Sequence, residues 1–95
     1  MNSVNSIVIS ESDNVATALV ELLQGDVGRF MLRGKTVQVA VLAPIPQYHK
    51  FAIRRIRENE RVFKYGEAIG RAVCDIPAGA HVHEHNIVSP GREGV

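Results

Sequence analysis

The stretch that decides the fold is Ile76-Pro77-Ala78-Gly79-Ala80-His81-Val82-His83-Glu84-His85-Asn86, a turn followed by histidines at alternate positions. Proline disrupts a helix, and glycine readily adopts the positive φ that tight turns need. Successive side chains of a strand point to opposite faces, so a strand over residues 81–85 directs its three histidines to one face. Two imidazoles at i and i+2 can bind one metal ion or one carboxylate. The stretch therefore predicts a turn that leads into a strand with a candidate site.

The first half of this stretch belongs to a short repeat that covers 18–26, 52–60 and 72–80. The shared pattern is Ala, an apolar residue, any residue, a charged residue, Ile or Leu, two variable residues, Gly or Asn, and one more residue. Because Gly and Asn tolerate positive φ, each copy predicts a short strand, a tight turn and a further strand. Residues 15–23 suit either a helix or a buried strand, and Pro77 in the third copy favours the strand.

Alternating and β-branched patterns predict further strands at 7–9, 27–32, 36–42, 49–56, 61–65 and 71–76. Pro44 and Pro46 exclude a central strand and indicate an edge or a corner of the sheet. Cys74 falls in the middle of a predicted strand, so we expect it to be a small buried apolar residue. Together these patterns predict one all-β domain over residues 1–95, with flexible tails at 1–6 and 88–95.

The composition excludes several classes of function. The 95 residues include 11 Lys and Arg against 10 Asp and Glu, so no basic field would attract nucleic acid. Aromatic residues make up 5% of the chain and include no Trp, which argues against a base-stacking surface. No apolar run approaches a membrane span of about 18 residues, and no secretory signal is visible. The single cysteine, Cys74, cannot form an internal disulfide, so we expect a cytoplasmic protein.

Four segments, in order, resemble the N-terminal domain of the altronate and galactarate dehydratase family. They are Asp13-Asn14-Val15-Ala16, His49-Lys50-Phe51-Ala52-Ile53, Lys64-Tyr65-Gly66-Glu67-Ala68-Ile69-Gly70 and the opening stretch at 76–86. The resemblance extends over nearly the whole chain and is poorest at 27–35. It implies a SAF-type domain with the β-clip fold, an all-β architecture of short strands and sharp bends related to the antifreeze-like domain of sialic acid synthases. One departure is Tyr48, where the family tends to have Gly; it predicts a reshaped turn and leaves the position of His49 open.

The resemblance also implies a role and a partner. In this family the domain is usually fused to a much larger lyase domain, and some relatives, including the sulfolactate sulfo-lyase small subunits, encode the two parts separately. We therefore expect a small subunit that helps to form an active site with a large lyase subunit. The alternative is a non-catalytic module that binds a sugar acid or a metal, and a homo-oligomer is compatible with the subunit role. A neighbouring reading frame for a large lyase-like chain would distinguish the subunit from the module.

The implied reaction removes water from a sugar acid, or sulfite from a sulfolactate-type substrate. A base takes the proton α to a carboxylate, a general acid assists the leaving group, and a divalent metal, typically Fe²⁺ or Mn²⁺ in the family, stabilises the enediolate. His81 and His83 are the candidate metal ligands or acid–base groups, and His49 is a candidate for proton transfer. The chain has no dense carboxylate cluster, so it would supply only part of such a site.

The candidate substrate-binding residues are Lys50, Lys64, Tyr65 and Asn86. Lys50 could bind a carboxylate and Lys64 could neutralise an acidic substrate, whereas Asn86 joins the same site only if the histidine strand bends. Each group also has a structural interpretation: an exposed polar strand for the histidines, an exposed corner for His49 and Lys50, and an edge-strand lysine that discourages aggregation for Lys64. Alternating histidines are not a metal site until a third ligand is found.

Overall fold

The computed structural model describes residues 3–89, which form short antiparallel strands and no helix. The strands are β1 (Ser6–Ile7), β2 (Val15–Ala18), β3 (Val27–Leu32), β4 (Lys35–Ala40), β5 (Lys50–Ala52), β6 (Arg61–Lys64), β7 (Glu67–Ala72), β8 (His81–Val82) and β9 (Ile87–Val88). They assemble into three small sheets with the orders β1-β2-β5-β8, β3-β4 and β6-β7-β9. The all-β prediction is confirmed, and the finer β-clip assignment stays a prediction. Within residues 3–89, no helix is long and apolar enough to cross a membrane.

The repeat seen in the sequence is a structural repeat, and the structure adds a fourth copy at 41–49. We call the copies corner 1 (18–26), corner 2 (41–49), corner 3 (52–60) and corner 4 (72–80). In every corner the eighth residue has a positive φ and lies in a turn; these residues are Gly25, Tyr48, Asn59 and Gly79. Corner 2 is not apparent from the sequence because it begins with Val41 and has Pro44 and Tyr48 where the other copies have a charged residue and Gly or Asn.

The corners pair in the same antiparallel way, corner 1 with corner 2 and corner 3 with corner 4. Leu22 and Ile45 exchange both backbone hydrogen bonds, at 2.9 and 2.8 Å, and Ile56 and Ile76 exchange theirs at 2.8 and 2.7 Å. All four side chains are buried. The Ile or Leu position of the sequence repeat is therefore the point at which each corner enters the core.

The core consists of two apolar clusters, one beneath each pair of corners. One contains Ile56, Ile76 and Val62, and the other contains Leu22, Ile45, Phe30 and Phe51. Strand β2 lies between them, since its consecutive residues Val15 and Ala16 belong to different clusters. A strand that is buried on both faces has no polar alternation. This double burial explains why residues 15–23 suit a helix as well as a strand by sequence, and the strand interpretation is confirmed for Val15–Ala18.

The predicted tails extend too far into the domain. Ser6 is buried in β1, where its hydroxyl donates to the Arg29 carbonyl at 3.0 Å. Val88 belongs to β9 and pairs with Arg71 of β7. Both ends are therefore held by a neighbouring strand whose sequence lies far away along the chain. Residues 1–2 and 90–95 of the predicted tails lie outside the described residues.

Several predicted strands are longer than the observed ones; 49–56, for example, reduces to Lys50–Ala52, and the strand predicted at 71–76 overlaps β7 only at residues 71–72. Strand β7 ends at Ala72, so Cys74 lies in the bend of corner 4 and is exposed rather than buried. The histidine strand ends at Val82, because residues 83–86 turn and the Asn86 N–H donates to the His83 carbonyl at 3.0 Å. The prediction that residues 81–85 form one regular strand is therefore wrong.

Asp13 and Asn14 fasten the β6–β7 hairpin to β2. Asn14 is fully buried; its Oδ1 accepts the Phe63 N–H at 2.8 Å, and its Nδ2 donates to the Arg61 carbonyl at 2.8 Å. The Asp13 carboxylate accepts the Gly66 N–H at 2.8 Å. These bonds set the position of the hairpin, which carries two of the predicted site residues at its tip.

We expect Asn14→Ala to lower the free energy of unfolding by about 2–4 kcal/mol, because it leaves a buried donor and a buried acceptor of strand β6 unpaired. Urea denaturation of the purified chain measures the loss. Ser12→Ala is the control: its exposed hydroxyl bonds only to the neighbouring Ser10, so we expect a change within about 0.5 kcal/mol. Equal losses in the two variants would contradict the role of Asn14 in holding the β6–β7 hairpin against β2.

Candidate functional site

Corners 2 and 4 position the first two histidines of the site. His49 is the last residue of corner 2, and His81 follows corner 4 directly. Strands β5 and β8 pair so that Lys50 lies opposite Val82 and Phe51 opposite His81. The Nδ1 atom of His49 is 2.9 Å from Nε2 of His81, so one ring nitrogen donates its hydrogen to the other.

The turn at 83–86 brings the remaining histidines back to the same place. The rings of His49 and His83 stack with their centroids 4.3 Å apart, and His85 lies 5.3 Å from His81 by the same measure. One nitrogen from each of His49, His81 and His83 lies within 4.8 Å of the others. The sequence pattern gave only the pair His81 and His83, and the structure supplies His49 as a third potential ligand. We call these three residues the histidine cluster.

Tyr48 does not displace His49. Its φ of 69° lies in the same left-handed region as the φ of the equivalent residues Gly25, Asn59 and Gly79. The His49 N–H donates to the Pro46 carbonyl at 3.0 Å, and the equivalent bond in corner 4 joins Ala80 to Pro77 at 3.1 Å. The expectation of a reshaped turn is therefore wrong, and His49 occupies the position that the corner repeat dictates.

Asn86 holds the histidine turn in shape. Its Oδ1 accepts the His83 N–H at 2.9 Å, and its Nδ2 donates to the His81 carbonyl at 2.8 Å. The side chain is buried, and both ends of its amide are engaged with the backbone. These contacts orient His81 and His83 relative to each other, whereas direct binding of a substrate by Asn86 stays a prediction.

The surroundings favour neutral imidazoles. Burial first, and then the charges of His49, His85, His83 and Lys50, together lower the pKa of His81 to about 4. Burial, followed by the charges of His83 and Lys50, also lowers the pKa of His49. At neutral pH, His81 thus keeps a lone pair available, which suits a metal ligand or a proton acceptor better than a proton donor.

Lys50 lies beside the histidine cluster, and Lys64 lies near Lys50. Lys50 is half-buried, and its pKa is lowered by burial first and then by the charge of Lys64. The Lys64 ammonium lies 4.9 Å from the ring centroid of Tyr65, and the Tyr65 hydroxyl bonds to Oγ1 of Thr17 at 3.3 Å. Within residues 3–89 neither lysine forms an ion pair. Two lysines without a carboxylate partner form a surface suited to an anion.

A cleft of about 480 Å³ opens beside Lys50 and His83, and Glu84 and Ile87 also line it. Glu84 would face away from the histidines in a regular strand, and the turn at 83–86 brings it to the same side. Asn86 is a turn-forming residue type, so it was the one sequence signal for this reversal. Thr17, which bonds to the Tyr65 hydroxyl, is a site residue that no sequence pattern indicated. It reaches the site because the β2–β5 register places it opposite Lys50.

Comparison of the sequence with known protein families gives a match. Residues 4–90 match the family model of the altronate/galactarate dehydratase SAF domain. The chain belongs to this family. The membership confirms the resemblance carried by the four segments of sequence.

The relatives differ in how much of their own length the match with this chain covers. The chain is 39% identical over 80 residues to the altronate dehydratase of Bacillus subtilis and 41% identical over 80 residues to that of Escherichia coli. Each match covers 84% of this chain but only 15% of the relative. The chain is also 39% identical over 88 residues to the (2R)-sulfolactate sulfo-lyase subunit alpha of Chromohalobacter salexigens, covering 90% of this chain and 94% of that subunit.

Proposed function

We propose that this chain is the small subunit of a hydroxy-acid lyase and contributes part of its active site to a separate large chain. The observation that carries the proposal is the histidine cluster, with three ring nitrogens within 4.8 Å of one another beside Lys50. The match over 94% of a relative named as a subunit supports a chain of this length acting with another. We place the enzyme in the cytoplasm, where the exposed Cys74 would stay reduced.

The proposed substrate is a hydroxy acid, either a sugar acid such as altronate or galactarate or a sulfolactate-type acid. Lys50 binds its carboxylate, and Lys64 and Tyr65 line the same side of the site, which the two lysines make positively charged. The reaction breaks the C–H bond α to the carboxylate and the neighbouring C–O or C–S bond, and it forms a C=C bond. The α proton goes to a base, and the hydroxyl takes a proton from a general acid and leaves as water, or the sulfonate leaves as sulfite. We assign the base to the large chain, because the three imidazoles of the cluster would be occupied as metal ligands.

The donor set fits a divalent metal. His49, His81 and His83 would hold the ion through neutral imidazoles and leave further positions for the large chain or the substrate. Imidazole ligands suit Fe²⁺ better than Mn²⁺, which prefers carboxylates. When bound, the ion supplies Lewis-acid stabilisation of the negative charge that develops on the substrate. The residues of this chain bind and orient the acid, and Asn86 keeps the histidine turn closed around the site.

A second candidate function is a non-catalytic module that binds a metal or a sugar acid. The observation that favours it is that all three imidazoles come from one chain, so a metal could bind without a partner. The two functions differ in what the large chain adds: a lyase subunit gains turnover on assembly, whereas a binding module keeps the same ligand affinity alone.

We expect lyase activity only after assembly. A large lyase-like chain would be sought in the reading frames beside the gene for this chain, the two chains would be purified separately, and altronate, galactarate and (2R)-sulfolactate would be tested with Fe²⁺. We expect the mixture to exceed either chain alone by at least about 100-fold for one substrate, because the base and the metal site meet only in the complex. Ordinary turnover by this chain alone would contradict the proposal. Ligand binding by this chain without activity in any mixture would favour the binding module.

A further inference from the structure

The two pairs of corners have the same backbone pattern but differ in the chemistry of their exposed side chains. Around corners 3 and 4 Val73 is exposed, and the charged side chains form ion pairs, with Arg54 to Glu60 at 2.8 Å and Arg55 to Asp75 at 2.6 Å. Around corners 1 and 2 large apolar side chains are exposed instead. We call them the outer apolar face: Leu19, Val20, Leu23, Leu42 and Tyr48.

The corner fold does not require these apolar residues. Val20 and Leu23 of corner 1 correspond in the repeat to Arg54 and Arg57 of corner 3, and all four are exposed. The same backbone therefore accepts arginine at both positions. Leu23 nevertheless remains 59% exposed as an apolar side chain. Exposed apolar patches on soluble domains often mark sites of interaction. The outer apolar face is therefore a candidate surface for binding a partner.

Tyr48 is the residue whose position the fold explains least. It has a positive φ at a position occupied by Gly25, Asn59 and Gly79 in the other corners, and this region is unfavourable for bulky side chains. Its side chain is 67% exposed, and within residues 3–89 that side chain forms no hydrogen bond or ring contact. Tyr65, which also has a positive φ, differs because its hydroxyl bonds to Thr17. Strain without a local contact indicates that Tyr48 serves something outside the chain.

The outer apolar face adjoins the histidine cluster. Tyr48 directly precedes His49, and its N–H donates to the Ala18 carbonyl at 2.7 Å beside Leu19. A partner seated on the face would therefore reach the cluster. A second copy of this chain seated there would add only residue types that the site already has, including the positively charged Lys50 and Lys64. In the altronate dehydratases the matched segment is only 15% of the chain, so a much larger region accompanies it there.

We propose that the outer apolar face is the docking surface for the large lyase-like chain, with Tyr48 as the aromatic anchor that aligns that chain with His49. This inference rests on the proposed function. Tyrosine is among the residues that contribute most at the centres of interfaces, because it buries a large rigid area with few rotatable bonds. The site would then be completed by groups of the large chain that approach from the side of corner 2.

Tyr48→Asn tests this surface, since Asn59 shows that corner 3 accepts asparagine at the same position. Calorimetric titration with the large lyase-like chain sought in the neighbouring reading frames measures affinity, and thermal unfolding measures stability. We expect Tyr48→Asn to weaken binding at least about 10-fold while Tm stays unchanged or rises. Leu23→Arg, which introduces the residue type that Arg57 provides in corner 3, should also weaken binding. The matched control Asn59→Tyr should lower Tm by about 4 °C or more and leave the affinity unchanged.

Three outcomes would overturn the inference, and they are distinguishable. If the wild-type chain binds and both Tyr48→Asn and Leu23→Arg bind equally well, the docking surface is elsewhere and the proposed function stands. If the wild-type chain does not bind the large chain at all, the proposed function fails as well. If the wild-type chain forms a dimer on its own that Tyr48→Asn dissociates, the face is occupied by a second copy instead.

Discussion

Gly79→Ala is expected to lower the free energy of unfolding by about 3 kcal/mol or more, enough to unfold much of a small domain. Gly79 has a φ of 89°, which disfavours any Cβ, and a Cβ at this position would also collide with the Ala40 carbonyl. The residue cannot move away, because its N–H donates to the Ala52 carbonyl at 2.7 Å and its own carbonyl accepts the Leu42 N–H at 2.9 Å. Urea denaturation measures the loss.

Gly25→Ala is the matched control for this prediction. Gly25 occupies the same position of corner 1 with a φ of 90°, but nothing lies within 4 Å of the added Cβ. We expect it to lose only the conformational term of about 1–2 kcal/mol. Equal losses in the two variants would show that the close contact between Gly79 and Ala40 relaxes freely. Since corner 4 leads directly into His81, Gly79→Ala should also disturb the histidine cluster.

His81→Ala is expected to reduce the activity of the assembled lyase by about 10²–10⁴-fold. His81 is the centre of the cluster: its ring contacts His49 at 2.9 Å between nitrogens and lies near both His83 and His85. Its removal takes one of three ligands from a bound metal, so the metal content of the complex should fall together with the activity. Steady-state kinetics and metal analysis of the purified complex measure both.

His85→Ala is the control, because His85 is exposed and is not one of the three residues whose nitrogens converge. We expect it to change activity by less than about 10-fold, since it touches the site only through His81. His83→Ala should resemble His81→Ala. Unchanged activity in both His81→Ala and His83→Ala would remove the histidine turn from the mechanism, whatever the stability of the two variants.

The turns of this protein were predictable from sequence because they depend on single residues. Pro77 excludes a helix, and Gly25, Asn59 and Gly79 tolerate the φ that their turns need. Strand β3 has the predicted bounds, Val27–Leu32, and ends at the predicted turn. Pro44 and Pro46 indicated an edge or a corner, but corner 2 was not recognised as a copy of the repeat, because Tyr48 occupies the position where the repeat has Gly or Asn. A rule based on propensity fails at such a position, since tertiary contacts hold a conformation that the residue itself disfavours.

The sequence by itself determined the all-β class, three of the four corners and the residue types available for a site, among them His81, His83 and Lys50. Only the tertiary structure decided that His49, which lies 32 residues from His81, joins them. That meeting depends on the register of β5 against β8 and on the closure of the 83–86 turn by Asn86. Register is set by packing over the whole core, because a shift of one residue would reverse every side chain of a strand. No local pattern contains that information.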